Sequence, residues 1–137
     1  MKKQIAGLLF GMLVGGPCFA EIAVIVHPSN AAQISEDDVM RLFLGKKNKF
    51  SDGSKAVPIY LAQGHDAREE FNQKALRKSS SQLKAYWSKL IFTGKGTPPD
   101  ALGSIEDVIA KVSSEPDTIA YIEASKATDA VKVVLTY

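Results

Sequence analysis

Cysteine occurs once in this 137-residue chain, at Cys18, and histidine twice, at His27 and His65. A lone cysteine closes no intrachain disulfide. Two histidines on different loops, without carboxylates placed to help them, do not make a metal site. The motifs CxxC, HExxH, GxSxG and GxxxxGKS/T are absent. Their absence removes the usual sequence signs of zinc hydrolases, serine hydrolases and phosphate-loop nucleotide binding. Basic and acidic residues nearly balance, 17 against 15, so the chain lacks the basic footprint of a nucleic-acid binder. The apolar stretch Ile5 to Val14 is shorter than the roughly 20 residues that a membrane-spanning helix needs.

That stretch has another reading. Lys2 and Lys3 precede it, Gly15, Gly16 and Pro17 break it, and Cys18-Phe19-Ala20 offers a small-x-small cleavage site before Glu21. This is the order of an export signal, and it predicts removal of residues 1–20. A lipid anchor on Cys18 is not expected, because Gly15 and Pro17 occupy the places where a lipobox carries an aliphatic and a small residue. The chain left after cleavage has 137 − 20 = 117 residues, enough for one domain, 21–137, with its own core. Loss of Lys2 and Lys3 leaves 15 basic and 15 acidic residues, a formal charge of zero. No cysteine remains, so stability must come from packing.

The rest alternates between strand and helix signals. Ile22 to Val26 is a continuous β-prone run, as in a strand covered on both faces. His27-Pro28-Ser29-Asn30 ends it in turn residues. Ser35 and Asp38 have capping-box spacing and open a helix that carries Val39, Leu42 and Phe43 inward, stopped by Gly45. Lys46, Lys47 and Lys49 follow as a solvated helix end. Ser51 to Ser54 is a turn. Val57 to Ala62 reads as a short buried strand, Gly64 as a sharp turn, and Asp66 to Leu76 as a helix with Ala67, Phe71 and Leu76 on one face. Ser79 and Gln82 open a helix to about Phe92, with Leu83, Tyr86, Trp87, Leu90 and Ile91 recurring at threes and fours. Thr93 to Pro99 is a loop. Ser104 and Asp107 open a further helix with Ile105, Val108, Ile109 and Val112 on one side, ended by Pro116. Two closing strands, at Ile119–Ile122 and Val131–Leu135, complete an α/β sandwich with a mixed sheet.

The strand–glycine–helix unit at 57–71 draws the eye. It would aim the first free N–H groups of a helix at one spot, partly positive and suited to an anion. His65-Asp66 looks like a catalytic pair, but no serine, cysteine or second base is placed with it. Asp66 suits a helix N-cap better, and His65 a turn. Gly94-Lys95-Gly96-Thr97 could offer N–H groups and an ammonium to an anion, or serve as a solvated loop tethered by Pro98 and Pro99. Tyr86 and Trp87 read as core rather than as a ligand platform.

The order of these segments resembles the phosphate-type periplasmic solute-binding proteins of ABC importers. Val24 to Asn30 is similar to that family's hinge strand and its VNPxN exit. Leu42 to Lys46, with the turn at Ser51-Asp52-Gly53, is similar to its IFxGK…W.DG segment, with Phe50 at the tryptophan's place. Gly64 to Phe71 is similar to DGSGTRxxF, and Gly94-Lys95-Gly96 with Ile105 to Ile122 to GKG…V…PGAIGYV. The resemblance implies one lobe of a type II periplasmic binding protein. The family's N-terminal stretch, with its own phosphate contacts, has no counterpart here. The places of DGSGT hold Gln63, Gly64, His65, Asp66 and Ala67, so the hydroxyl donors are missing. The arginine before that turn would fall near Leu61.

Two functions follow as expectations, neither of them enzymatic and neither with a cofactor. In the first, the exported, periplasmic domain binds phosphate or a related oxyanion for ABC import. Its anion-binding residues would be Gly64, His65, Asp66, Ala67 and Arg68, with Lys95 from the facing loop. Arg68 would supply charge and the Asp66 and Ala67 N–H groups the cradle. A second chain, a further copy included, would have to close the half cleft. In the second, the domain is a periplasmic interaction or sensor module that has lost its ligand and meets a membrane transporter or receptor, or another copy of itself.

Overall fold

In the computed structural model, residues 21–137 are described. The export signal, Cys18 and the cleavage after Ala20 lie outside the described residues. Strand β1 (Ile22–Val26) is buried at every position, as its unbroken apolar sequence requires of a strand covered on both faces. It pairs antiparallel with β4 (Thr118–Glu123) on one side and with β5 (Lys132–Thr136) on the other. Strand β2 (Val57–Leu61) runs parallel both to β4 and to β3 (Asp100–Leu102). The sheet order β3-β2-β4-β1-β5 is mixed, and with its helices it forms the expected α/β fold.

Helices α1 (Glu36–Phe43) and α3 (Ser80–Phe92) begin with complete capping boxes, Ser35 with Asp38 and Ser79 with Gln82. In α4 (Ile105–Ser114) the Ser104 hydroxyl accepts from the Asp107 N–H. Each cap satisfies helix-start donors that would otherwise be orphaned. Under α1 and α2 (Asp66–Phe71) lies an aromatic cluster. Phe71 stacks on Tyr121 at 3.9 Å and 6°, and Phe43 meets Phe71 edge-on at 4.8 Å. All three rings are fully buried. The end of α1 is a docking point for its neighbours. Its Phe43 carbonyl accepts from the Tyr60 hydroxyl at 3.0 Å, and the Leu44 carbonyl accepts from the Tyr86 hydroxyl at 2.6 Å.

Three features differ from the sequence expectation. Strand β3 has no counterpart in the sequence expectation, whose loop ends at Pro99; three residues on a sheet edge are too few to show a period. The helix expected over Asp66–Leu76 is α-helical only to Phe71 and continues as a π-turn over Asn72–Leu76. The Asn72 carbonyl closes that turn by accepting from the N–H groups of both Arg77 and Lys78, and Arg77 takes a left-handed φ of 55°. The inward face of α3 is also narrower than its spacing suggests. Leu83 and Trp87 are buried, but Ile91 is 54% exposed and Phe92 93%.

Candidate functional site

The parallel pairing of β2 with β3 puts Leu61 opposite Leu102, and the Ala62 N–H donates to the Leu102 carbonyl at 2.9 Å. Both strands therefore end together and release α2 and α4 at the same end of the sheet. This is where ligands bind in open α/β sheets, outside the carboxyl ends of parallel strands. Gly64 makes the turn into α2 at φ 87°, a conformation that glycine adopts without strain.

Asp66 does not cap α2. His65 holds the N-cap position in extended backbone and makes no side-chain capping bond, while its carbonyl accepts from the N–H groups of Arg68 and Glu69. The glycine turn brings the chain into helical geometry one residue earlier than an Asp66 cap would, so Asp66 becomes the first helical residue, with an exposed side chain. The Asp66 and Ala67 N–H groups have no acceptor among the described residues. The start of α2 is thus open, with the Asp66 carboxylate at its edge.

Arg68 has turned away from that start. Its Nη1 donates to the Leu61 carbonyl at 2.9 Å, and the guanidinium lies 5.1 Å from the centre of the Tyr60 ring. The side chain lines a cleft of about 230 Å³ behind the turn, walled by Tyr60, Asn72, Lys84, Trp87 and Pro98. Trp87 is wedged there: a Cβ on Gly45 would sit 3.0 Å from its ring, and one on Gly96 3.8 Å. Burial pushes the Tyr60 hydroxyl well above its ordinary pKa, with the adjacent Trp87 indole and the Arg68 charge pulling it back in part. Tyr60 therefore stays neutral and donates to Phe43.

Asn72 also lines this cleft and is 1% exposed, yet its Oδ1 and Nδ2 both lack partners among the described residues. The Trp87 Nε1 likewise completes no hydrogen bond, although it lies close enough to influence Tyr60. Asn72 does not stand out in the sequence as a site residue, and Trp87 reads there as core rather than as a ligand platform. The one available signal was a polar residue, Asn72, next to Phe71 in an otherwise apolar helical face.

The expected site residues do not all come together. Gly64, His65, Asp66 and Ala67 form the turn and helix start, while Arg68 faces the cleft behind them. Lys95 is exposed on the loop after α3, beside a separate hollow with Ile91, Gly94, Gly96 and Thr97, and does not line the Arg68 cleft. Of the lysines after α1, Lys47 reaches back to Asp38 at 2.8 Å. Among the described residues, no three His, Cys, Asp or Glu side chains gather as a metal would require, and no helix is long and apolar enough to cross a membrane.

No protein-family model and no curated protein matches the chain. Solved structures do. An ABC-type phosphate transport receptor from Vibrio cholerae aligns over 84% of this chain and 46% of its own, with a TM-score of 0.66 and 12% identity. PstS from Borrelia burgdorferi aligns over 85% and 47%, with a TM-score of 0.61 and 16% identity. A Clostridium perfringens protein solved with bound phosphate aligns over 84% and 45%, with a TM-score of 0.58 and 21% identity. At these identities the likeness is one of fold, and the chain spans less than half the length of each of these proteins. The resemblance read from the sequence and the fold seen in the structure therefore agree: the described residues form an α/β fold that matches somewhat less than half of each of these phosphate-binding proteins.

Proposed function

We propose that the chain is an exported solute-binding-protein-like domain, not an enzyme, that holds phosphate or a related oxyanion at the carboxyl ends of β2 and β3 and serves ABC import. The observation that carries this reading is the open start of α2, where the Asp66 and Ala67 N–H groups are unmatched at the mouth of a glycine turn. Backbone donors at a helix start attract an anion through their partial positive charge. The fold supports the reading, since phosphate is bound in one of the structures that shares it. With Arg68 committed to the Leu61 carbonyl, the charge that the sequence assigned to this spot is missing. Affinity then depends on a second chain, a further copy or a membrane transporter, to close the half cleft.

Calorimetric titration of the purified protein with phosphate tests this. Saturable heat is expected, and Asp66→Asn should tighten binding by about fivefold, because a carboxylate in water at contact distance repels an anion by about 1 kcal/mol. No heat in either protein would remove the reading. A specific observation then favours the alternative of a periplasmic interaction or sensor module: Ile91 and Phe92 stand exposed next to each other at the end of α3, and contiguous exposed apolar side chains, unlike scattered ones, mark contact surfaces.

A further inference from the structure

The geometry points to a second ligand site in this domain, the cleft between the β2–α2 turn and α3, built for a small organic hydroxy acid. It stands apart from the turn proposed for phosphate, sharing with it only the flank at Gln63 and Arg68.

Asn72 carries the argument. A buried amide with neither end hydrogen-bonded costs free energy, and native interiors rarely keep one. Its carbonyl closes the π-turn and its N–H donates back into α2, while the side chain takes part in neither. Single π-turns inside helices recur at functional sites. Here the π-turn fixes Asn72 in the wall of a cavity of about 230 Å³. That is the room of about eight waters at roughly 30 Å³ each, or of a small organic acid. The two free ends of the amide define what it would bind: Nδ2 needs an acceptor and Oδ1 a donor.

The other walls narrow the choice. Arg68 uses one N–H on Leu61 and keeps the rest of its fork, which suits a planar carboxylate. The Trp87 indole, set beside the Tyr60 hydroxyl, forms an aromatic wall, and Lys84 adds a cation at the rim. None of the residues lining the cleft is acidic. At the edge, the Ser80 hydroxyl donates to the Glu69 carboxylate and is occupied by it. An anionic ligand is therefore matched and a ligand ammonium is not. A carboxylate facing Arg68, with a neutral hydroxyl donating to Asn72 Oδ1, fits these walls; an amino acid's ammonium could donate to the same Oδ1, but it would meet no carboxylate and would lie among the Arg68 and Lys84 charges.

The test titrates the purified protein with lactate and with malate, and with alanine and phosphate as controls. One of the two hydroxy acids should give saturable heat, with alanine weaker. Asn72→Leu keeps the volume and removes both polar ends. It should weaken hydroxy-acid binding by about twofold to tenfold, the range for a lost hydrogen bond between neutral groups, and should leave any phosphate heat from the turn unchanged. Lys84→Glu, at an exposed helical position where folding is not at risk, should weaken it by about fivefold. Circular dichroism confirms that Asn72→Leu is folded; if it is not, Lys84→Glu decides. Absence of heat with both hydroxy acids means that only water fills the cleft and overturns the site. So does unchanged affinity in Asn72→Leu, or in Lys84→Glu where that variant decides.

Discussion

The start of α2 and the π-turn that follows it lie six residues apart, from Asp66 to Asn72, and both present polar groups without protein partners. They do not mean the same thing. The open N–H of Asp66 sits at an exposed turn, where water satisfies it at little cost, and such groups occur at every helix start. Asn72 is buried in the wall of the cleft, and its amide has no protein partner among the described residues. An unmatched buried amide costs about 1–3 kcal/mol. The chain has accepted that cost a few residues from a place where it had none to bear. The inside of this segment is therefore stronger evidence for a ligand than its outside, although the outside carries the recognisable motif.

The largest expected effect removes what the two places share. Phe71 is the residue between them, stacked on Tyr121 and packed edge-on against Phe43. Phe71→Ala should cost about 3–5 kcal/mol, the range for deleting a fully buried aromatic. Urea unfolding followed by circular dichroism measures it. A loss below about 1 kcal/mol would show that the two places are held independently and would break the comparison at its base.

Much of this frame was legible in the residues. β1, the capped starts of α1, α3 and α4, and the closing strands follow from unbroken apolar runs and from serine at cap spacing, both local signals. The fold class followed because those signals alternate. The candidate site was less legible, for three physical reasons. The cap fell on His65 rather than Asp66, because the backbone of a glycine turn, not side-chain preference, fixes where the helix begins. Arg68 was read as facing the anion, but a carbonyl left free at the end of β2 and the Tyr60 face hold it behind the turn. The cleft joins Tyr60, Asn72 and Trp87 from three elements, and no spacing along the chain reveals such a meeting. Trp87 was read as core and is 7% exposed, yet it is also a wall of that cleft.

A smaller effect separates the two places. Gly45 has φ 71°, and a Cβ there would press on Trp87 at 3.0 Å. Gly45→Ala should cost about 1–2 kcal/mol for the left-handed backbone. It should also push the indole into the cleft. Hydroxy-acid binding should then weaken while phosphate binding at the α2 start is untouched. Equal loss of both would mean that the turn and the cleft act as one site.

The smallest effect concerns a helix start unlike that of α2. At α1 the Asp38 carboxylate accepts from Lys47 and from the Ser35 N–H, and these bonds, led by the Lys47 contact, lower its pKa from 3.8 to about 2. Because the folded pKa lies below the unfolded one, the stabilisation is present in full above about pH 4. It is lost as pH falls toward about pH 2, where the carboxyl is protonated in both states. The pair is partly exposed, with side chains 31% and 23% accessible, so solvent screening holds its worth below about 1 kcal/mol. Urea midpoints of the wild type and Asp38→Asn, taken from about pH 5 down to about pH 2, should converge as acid is added. Midpoints that stay a constant distance apart would show that the capping box, and not the charge, stabilises this start. An exposed helix start would then owe its order to backbone donors finding any acceptor at all, and the open start of α2, with none among the described residues, would gain weight as a place that waits for an anion.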